Sequence, residues 1–210
     1  MEIKFKIEMN ILKIAFLSLI LFLISCFGVT KSYPEKKFFL VELENQVASG
    51  LPPKGSSFKI RRFSISPRFE GKEFVYRKDN VNFESDFYNS FFISPSSNLR
   101  EEFTKSLISQ KIFEWDAGQN TRIDPTHFVE VSVSDLYGDF RNSPKAVINL
   151  DLFVYTEKDS QPIIVFKKSY KRSVEIQTKE AGDLVSGWNQ AFAQISNEIG
   201  NDLKDKVVVR

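Results

Sequence analysis

Cys26 and His127 are the only cysteine and the only histidine in a chain of 210 residues. A lone cysteine forms no intramolecular disulfide, and a lone histidine supplies no multi-histidine zinc site. H-E-x-x-H is absent, as is the G-x-x-x-x-G-K-[ST] loop that would cradle nucleotide phosphates. There is no G-x-S-x-G elbow, so a serine triad would have to recruit His127. That residue closes Asp124-Pro125-Thr126-His127, which reads as a loop entering a strand at Val129; a surface or strand-edge histidine is the expectation. Asp135, Asp139 and Asp151 are acids that would have to converge in space to act as a glycosidase pair, and their spacing does not call for it. The sequence therefore predicts no catalytic residue, no cofactor and no metal. The residue left with distinctive chemistry is the thiol of Cys26.

What surrounds that thiol gives it a use. Lys4, Lys6 and Lys13 precede the apolar run from Ile14 to Phe22, interrupted only by Ser18, and Leu23-Ile24-Ser25-Cys26 follows. A basic start, an apolar stretch of roughly ten residues and a small residue before the break describe a secretory signal. The run is too short for a permanent span, which needs about 20 residues. The tetrapeptide resembles a bacterial lipobox, in which the cysteine after the cut receives a diacylglycerol on sulfur and an acyl group on its new amino terminus. The expected organisation is a signal peptide over 1–25, a tether over 26–37 containing Tyr33-Pro34, and a folded domain over 38–206.

With 29 basic and 27 acidic residues the chain has no general pull towards nucleic acid, and no run of Lys or Arg makes a basic arm. Its unusual feature is 21 phenylalanines, a large apolar payload for a core or a binding surface. Phe38 to Leu43 reads as a first strand. Gly50, Pro52, Pro53 and Gly55 mark a loop, and Phe58 to Ile65 a second strand ended by Pro67. Phe74-Val75-Tyr76-Arg77 forms a short strand with Asn82–Asp86 as its partner across a turn. A helix opens within Ser94–Asn98, where Asn98 and Glu101 have capping-box spacing, and buries Leu99, Phe103, Leu107 and Ile108.

Val129, Val131 and Val133 alternate with polar residues, as do Ala146, Ile148, Leu150, Leu152 and Val154 with a second set. A turn at Glu157–Ser160 leads into Ile163–Phe166 and on to about Ile176, completing an antiparallel meander. Leu184, Trp188, Phe192, Ile195, Ile199 and Leu203 then draw one stripe along a last helix, with Gly187 allowing close approach beside Trp188. The fold class is α/β: a mixed, mainly antiparallel sheet with two amphipathic helices packed on it, in a single domain.

Two stretches are candidates for contact with something else. Phe83, Phe87, Tyr88, Phe91 and Phe92 form an aromatic segment in which core packing is the simpler use, and Phe87, Phe91 and Phe92 are the residues that would face a partner or lipid. Gly138–Asn142 reads as an exposed hairpin tip.

The order Ile65-Ser66-Pro67, Phe74-Val75-Tyr76-Arg77, aromatic segment, amphipathic helix, meander and final helix resembles the ABC-type transport auxiliary lipoprotein family. Its members accompany paraquat-inducible and related systems containing mammalian-cell-entry (MCE) domains. The likeness spans most of 38–203 plus the lipobox. It departs from the family at Phe91-Phe92-Ile93-Ser94-Pro95, where a Trp-Ala type turn is usual. The resemblance implies an envelope lipoprotein that binds an MCE-domain protein, and through it an ABC permease and ATPase, without turnover of its own. It leaves self-association open. A lipid-anchored envelope hydrolase or surface lipoprotein of unrelated function is the alternative. Phe27 after Cys26, where Asp would favour inner-membrane retention, points to the outer membrane facing the periplasm.

Overall fold

The meander supplies the spine of the sheet in the computed structural model, which describes residues 34–44, 47–118 and 122–207, with Ile7, Met9, Lys13 and Ser18 before them. The chain divides into two compact units, Met1–Glu35 and Lys36–Arg210. Cys26 and most of the 26–37 tether lie outside the described residues, and everything below concerns the second unit.

Eight strands and two helices follow in order: β1 (Lys37–Phe39), β2 (Ser57–Ile65), β3 (Glu73–Arg77), β4 (Phe83–Phe91), α1 (Pro95–Ser109), β5 (Trp115–Asp116), β6 (His127–Asp139), β7 (Lys145–Lys158), β8 (Gln161–Glu175) and α2 (Ala181–Leu203). β6, β7 and β8 pair antiparallel over almost their whole lengths. With β7 filling one edge of β6, the other edge takes two parallel neighbours, β2 along Phe58–Ile65 and β3 at Tyr76 and Arg77. Beyond β3 the sheet continues through antiparallel β4 to parallel β1 at its margin. The expected mixed α/β sheet carrying two helices is what the chain forms.

The alternation seen in the sequence is the alternation of burial. Val129, Val131 and Val133 face the core with Ala146, Ile148, Leu150, Leu152 and Val154, opposite a helix on the same sheet face. At Ser134 a β-bulge inserts one residue, which brings Leu136 opposite Ile148 and onto the face of Val133. The β7–β8 turn is made by Asp159 and Ser160, both at positive φ as a tight hairpin requires. The tip between β6 and β7 is shorter than expected: Gly138 and Asp139 pair with β3 and β7, Phe140 is buried, and only Arg141–Ser143 are exposed. Phe140 is held there by stacking on Tyr76 at 4.8 Å.

α1 starts one turn earlier than the Asn98–Glu101 spacing suggests. Ser94 is the cap, its Oγ accepting from the Ser97 N–H at 3.2 Å, and Pro95 occupies the first turn where no N–H is needed. Asn98 is instead buried inside the helix and used at long range. Its Oδ1 accepts from the Val41 N–H at 2.8 Å, and its Nδ2 donates to the Val41 carbonyl at 2.9 Å. Glu102, one turn on, accepts from the Leu43 N–H at 2.9 Å. The first strand therefore ends at Phe39, and 41–44 is an extended strap whose backbone is paired by side chains of α1 and by Asn189 of α2.

α2 buries the whole predicted stripe, Leu184 to Leu203. A Cβ on Gly187 would sit 2.6 Å from Ala146 Cβ and 2.5 Å from Ile176 Cγ2, so glycine lets the helix backbone settle onto β7. On its outer side, Glu198 and Asp202 meet three residues of β8. Lys168 Nζ lies 2.9 Å from Glu198 and 2.7 Å from Asp202, the Tyr170 hydroxyl donates to Asp202 at 2.8 Å, and Arg172 pairs with Glu198. The hydrogen bond from Lys168 chiefly holds the Glu198 carboxyl below its ordinary range. Burial pushes the Asp202 carboxyl up, but Lys168 and Tyr170 outweigh it and the net shift is downward.

Both carboxylates thus favour the folded state above their unfolded pKa values of about 4, and that contribution is lost as pH falls through the depressed folded values. The pairs are partly exposed and screened by solvent, so the contribution of each is small. The expected result is a Tm that falls as pH drops below about 4.5, with a shallower fall in Glu198→Gln, checked by thermal denaturation through the acid range. An identical slope in the variant would remove the network from the account.

Candidate interaction surface

β3 and β4 pair at Val75–Ser85 and again at Glu73–Ser90, so the single residue Phe74 faces the four residues Asp86–Asn89. The surplus backbone is folded around one carboxylate. Asp86 Oδ1 accepts from the backbone N–H groups of Tyr88 at 2.7 Å and Asn89 at 3.0 Å. Its Oδ2 accepts from the Tyr76 hydroxyl at 2.5 Å and from Asn89 Nδ2 at 2.8 Å. Burial pushes this carboxyl up, but the four donors override it and keep it below the usual range. The Tyr76 hydroxyl is driven the other way, first by burial and then by the facing charge. A carboxylate with four donors fixes the loop's conformation.

Inside the loop the aromatic residues are core. Phe74 touches Phe39, Phe91 and Trp188 at centroid distances of 5.4, 4.8 and 5.0 Å. Outside it they are not. Phe87 is 68% exposed, Phe92 60% and Phe38 57%. Phe87 and Tyr88 meet edge-to-face at 5.1 Å, and so do Phe38 and Phe92 at 6.3 Å. Lys36 and Phe38 lie two apart on the same side of the extended chain and link the pairs, Lys36 Nζ sitting 4.3 Å from the centre of the Phe87 ring. Lys72 Nζ donates to the Phe92 carbonyl at 3.1 Å.

Of the three residues predicted to face a partner or lipid, Phe87 and Phe92 stand on this surface. Phe91 does not: it is 2% exposed and stacks on Trp188 at 5.4 Å. Phe83, Phe87 and Phe91 would share one side only in an unbroken extended strand, and the bulge at Asp86–Asn89 separates them. Phe38 was missed as a surface residue. Its signal was position, in the short edge strand that opens the domain.

The other candidates do not assemble. His127 is buried at the start of β6 rather than exposed; its Nδ1 lies 2.9 Å from Thr126 Oγ1, the Phe113 ring packs on it, and burial lowers its pKa. Asp135 accepts from Asn149, Asp139 pairs with Arg141, and Asp151 accepts from Ser169, three separate partnerships. Among the described residues no group of His, Cys, Asp and Glu could hold a metal, and no helix is long and apolar enough to cross a membrane. An open groove of about 390 Å³ runs between the strap and α2, lined by polar groups including Glu42, Glu44, Asn189 and Asn197.

No protein-family model matches the sequence, and a search of curated proteins finds no match. Solved structures do. A crystal structure described as an uncharacterized protein superposes with a TM-score of 0.64 at 17% identity, covering 80% of this chain and 99% of that one. Protein XCC0632 from Xanthomonas campestris, assigned to family DUF330, superposes with a TM-score of 0.69 at 11% identity, covering 81% and 95%. At these identities the likeness is one of fold, and it extends over nearly the whole length of both relatives.

Proposed function

We propose that this chain is an envelope lipoprotein, anchored through Cys26, that serves as an accessory subunit of an ABC/MCE-type lipid-transport system and acts by binding a transport component. The observation that carries the reading is an order of elements. The Val75-Tyr76-Arg77 strand, the Ser94-capped helix, the meander and the final helix, which together prompted the family resemblance, build one continuous sheet with both helices on it. A tether of about ten residues reaches at most about 35 Å, so the domain would meet its partner close to the membrane face. Anchoring would also raise the local concentration at that face, letting a modest interface suffice.

The test is to pull the lipidated protein from gently solubilised envelopes and identify what accompanies it. An MCE-domain protein is expected to co-purify, and deletion should reproduce the lipid phenotype of losing the transporter. If neither occurs, the transport reading fails and hydrolase activity becomes the next assay.

A further inference from the structure

We propose that the aromatic edge formed by Phe38, Phe87, Tyr88 and Phe92 is a bilayer-docking surface that seats the domain on the membrane holding its own anchor. The inference rests on the reading of Cys26 as acylated. Chain length brings the two together: Phe38 is the second residue of β1, and about ten residues separate Cys26 from Lys36, a reach of at most about 35 Å. The first surface the folded chain presents after its tether is therefore this one.

Its composition selects lipid over protein. Protein interfaces are depleted in lysine at their centres, whereas aromatic rings interleaved with lysines are what the membrane–water boundary takes. Here Lys36 lies against the Phe87 ring and Lys72 reaches the Phe92 carbonyl. Both ammonium groups therefore lie among the rings of this edge, where their charge would meet lipid phosphate. Glu73, exposed beside Lys72, offsets one of these two charges, which leaves the edge basic by one. The loop's own carboxylate, Asp86, is turned inward onto Tyr76 and the loop backbone, so it does not repel the headgroups. Because that carboxylate pins the bulge, Phe87 and Tyr88 are held outward before contact, and docking orders little that is not already ordered.

The test places a tryptophan in the surface of the full lipidated chain. Phe87→Trp and, at the far hairpin tip, Ile163→Trp are reconstituted separately into phosphatidylethanolamine–phosphatidylglycerol vesicles, with the native tryptophan emission subtracted. Both sites are exposed, so neither substitution disturbs the core. Emission from Phe87→Trp should shift to the blue and be quenched by lipids brominated near the headgroup, while Ile163→Trp should behave as in water. An acylated, vesicle-bound protein whose Phe87→Trp emission stays water-like overturns docking and leaves the anchor standing. A shift that appears only when solubilised envelope proteins are added marks a protein interface and overturns it equally. Absence of acyl mass at Cys26 overturns the anchor and this inference together.

Discussion

Replacing Trp188 by alanine is expected to destabilise the domain by about 3–5 kcal/mol, as for a large aromatic side chain buried in a core. Trp188 is fully buried and is met by Phe74 edge-on at 5.0 Å and by Phe91 in a stack at 5.4 Å. It therefore joins α2 to β3 and β4, while Gly187 beside it lets the same turn of helix rest on β7. Alanine would leave a void where three elements meet, and the close approach at Gly187 leaves the backbone little room to collapse into it. One feature works against the upper end of the range. Among the described residues Trp188 Nε1 has no hydrogen-bond partner, so part of the gain from burying the ring is already offset by an unsatisfied donor. For a domain of this size the loss corresponds to a Tm lower by on the order of 10 °C. Thermal denaturation of the chain lacking residues 1–26 reads it directly, and an unchanged Tm would displace Trp188 from the centre of the core.

That centre was legible in the sequence because α2 repeats its apolar residues at helical spacing over six positions, and only one face of a helix can meet that condition. The meander was legible for the same reason at period two. What defeated the pattern were departures that no local rule encodes. The extra residue at Ser134 shifts β6 by one, and the four residues at Asp86–Asn89 detach Phe87 from the face of Phe91. Both are decided by which partner strand runs alongside, and the second also by Tyr76, whose hydroxyl helps to hold Asp86. The strap at 41–44 is the sharpest case. Its alternation of Val41 and Leu43 with Glu42 and Glu44 is that of a strand, yet its backbone partners are the side chains of Asn98, Glu102 and Asn189. Asn98 and Glu102 stand one helical turn apart, a spacing that matches the backbone N–H groups of Val41 and Leu43. Read locally, Asn98 is a cap; read with the fold, it is a clamp. The interaction surface inherits this limit. Phe87 and Phe92 were named from composition, but Phe38 joins them only once β1 is laid beside β4 in parallel register.

Cys26→Ala should abolish fatty-acid labelling and cleavage before position 26 while leaving the fold intact. Lipobox chemistry needs the thiol first, as the nucleophile that becomes the diacylglyceryl thioether, and processing follows that modification. Alanine cannot supply the sulfur, so both steps stop at once. The fold should not notice, because among the described residues the buried core runs from Val41 to Val207, with Phe39 of β1 packed against it. Each buried methylene contributes about 0.8 kcal/mol, so the two or three chains of a mature lipoprotein hold far more firmly than a single marginal acyl group. Membrane association alone is a poor readout for this variant, since an uncut apolar leader can itself keep a chain at the membrane. The decisive measurements are metabolic labelling with a tagged fatty acid and the mass of the amino terminus. Wild-type protein should carry the label on a chain beginning at Cys26, and the Cys26→Ala protein should be unlabelled and uncut at that site. A labelled Cys26→Ala protein would place the acyl group elsewhere and end the lipobox assignment. With it would go the argument that the aromatic edge, about ten residues further along the chain, is kept within reach of a bilayer.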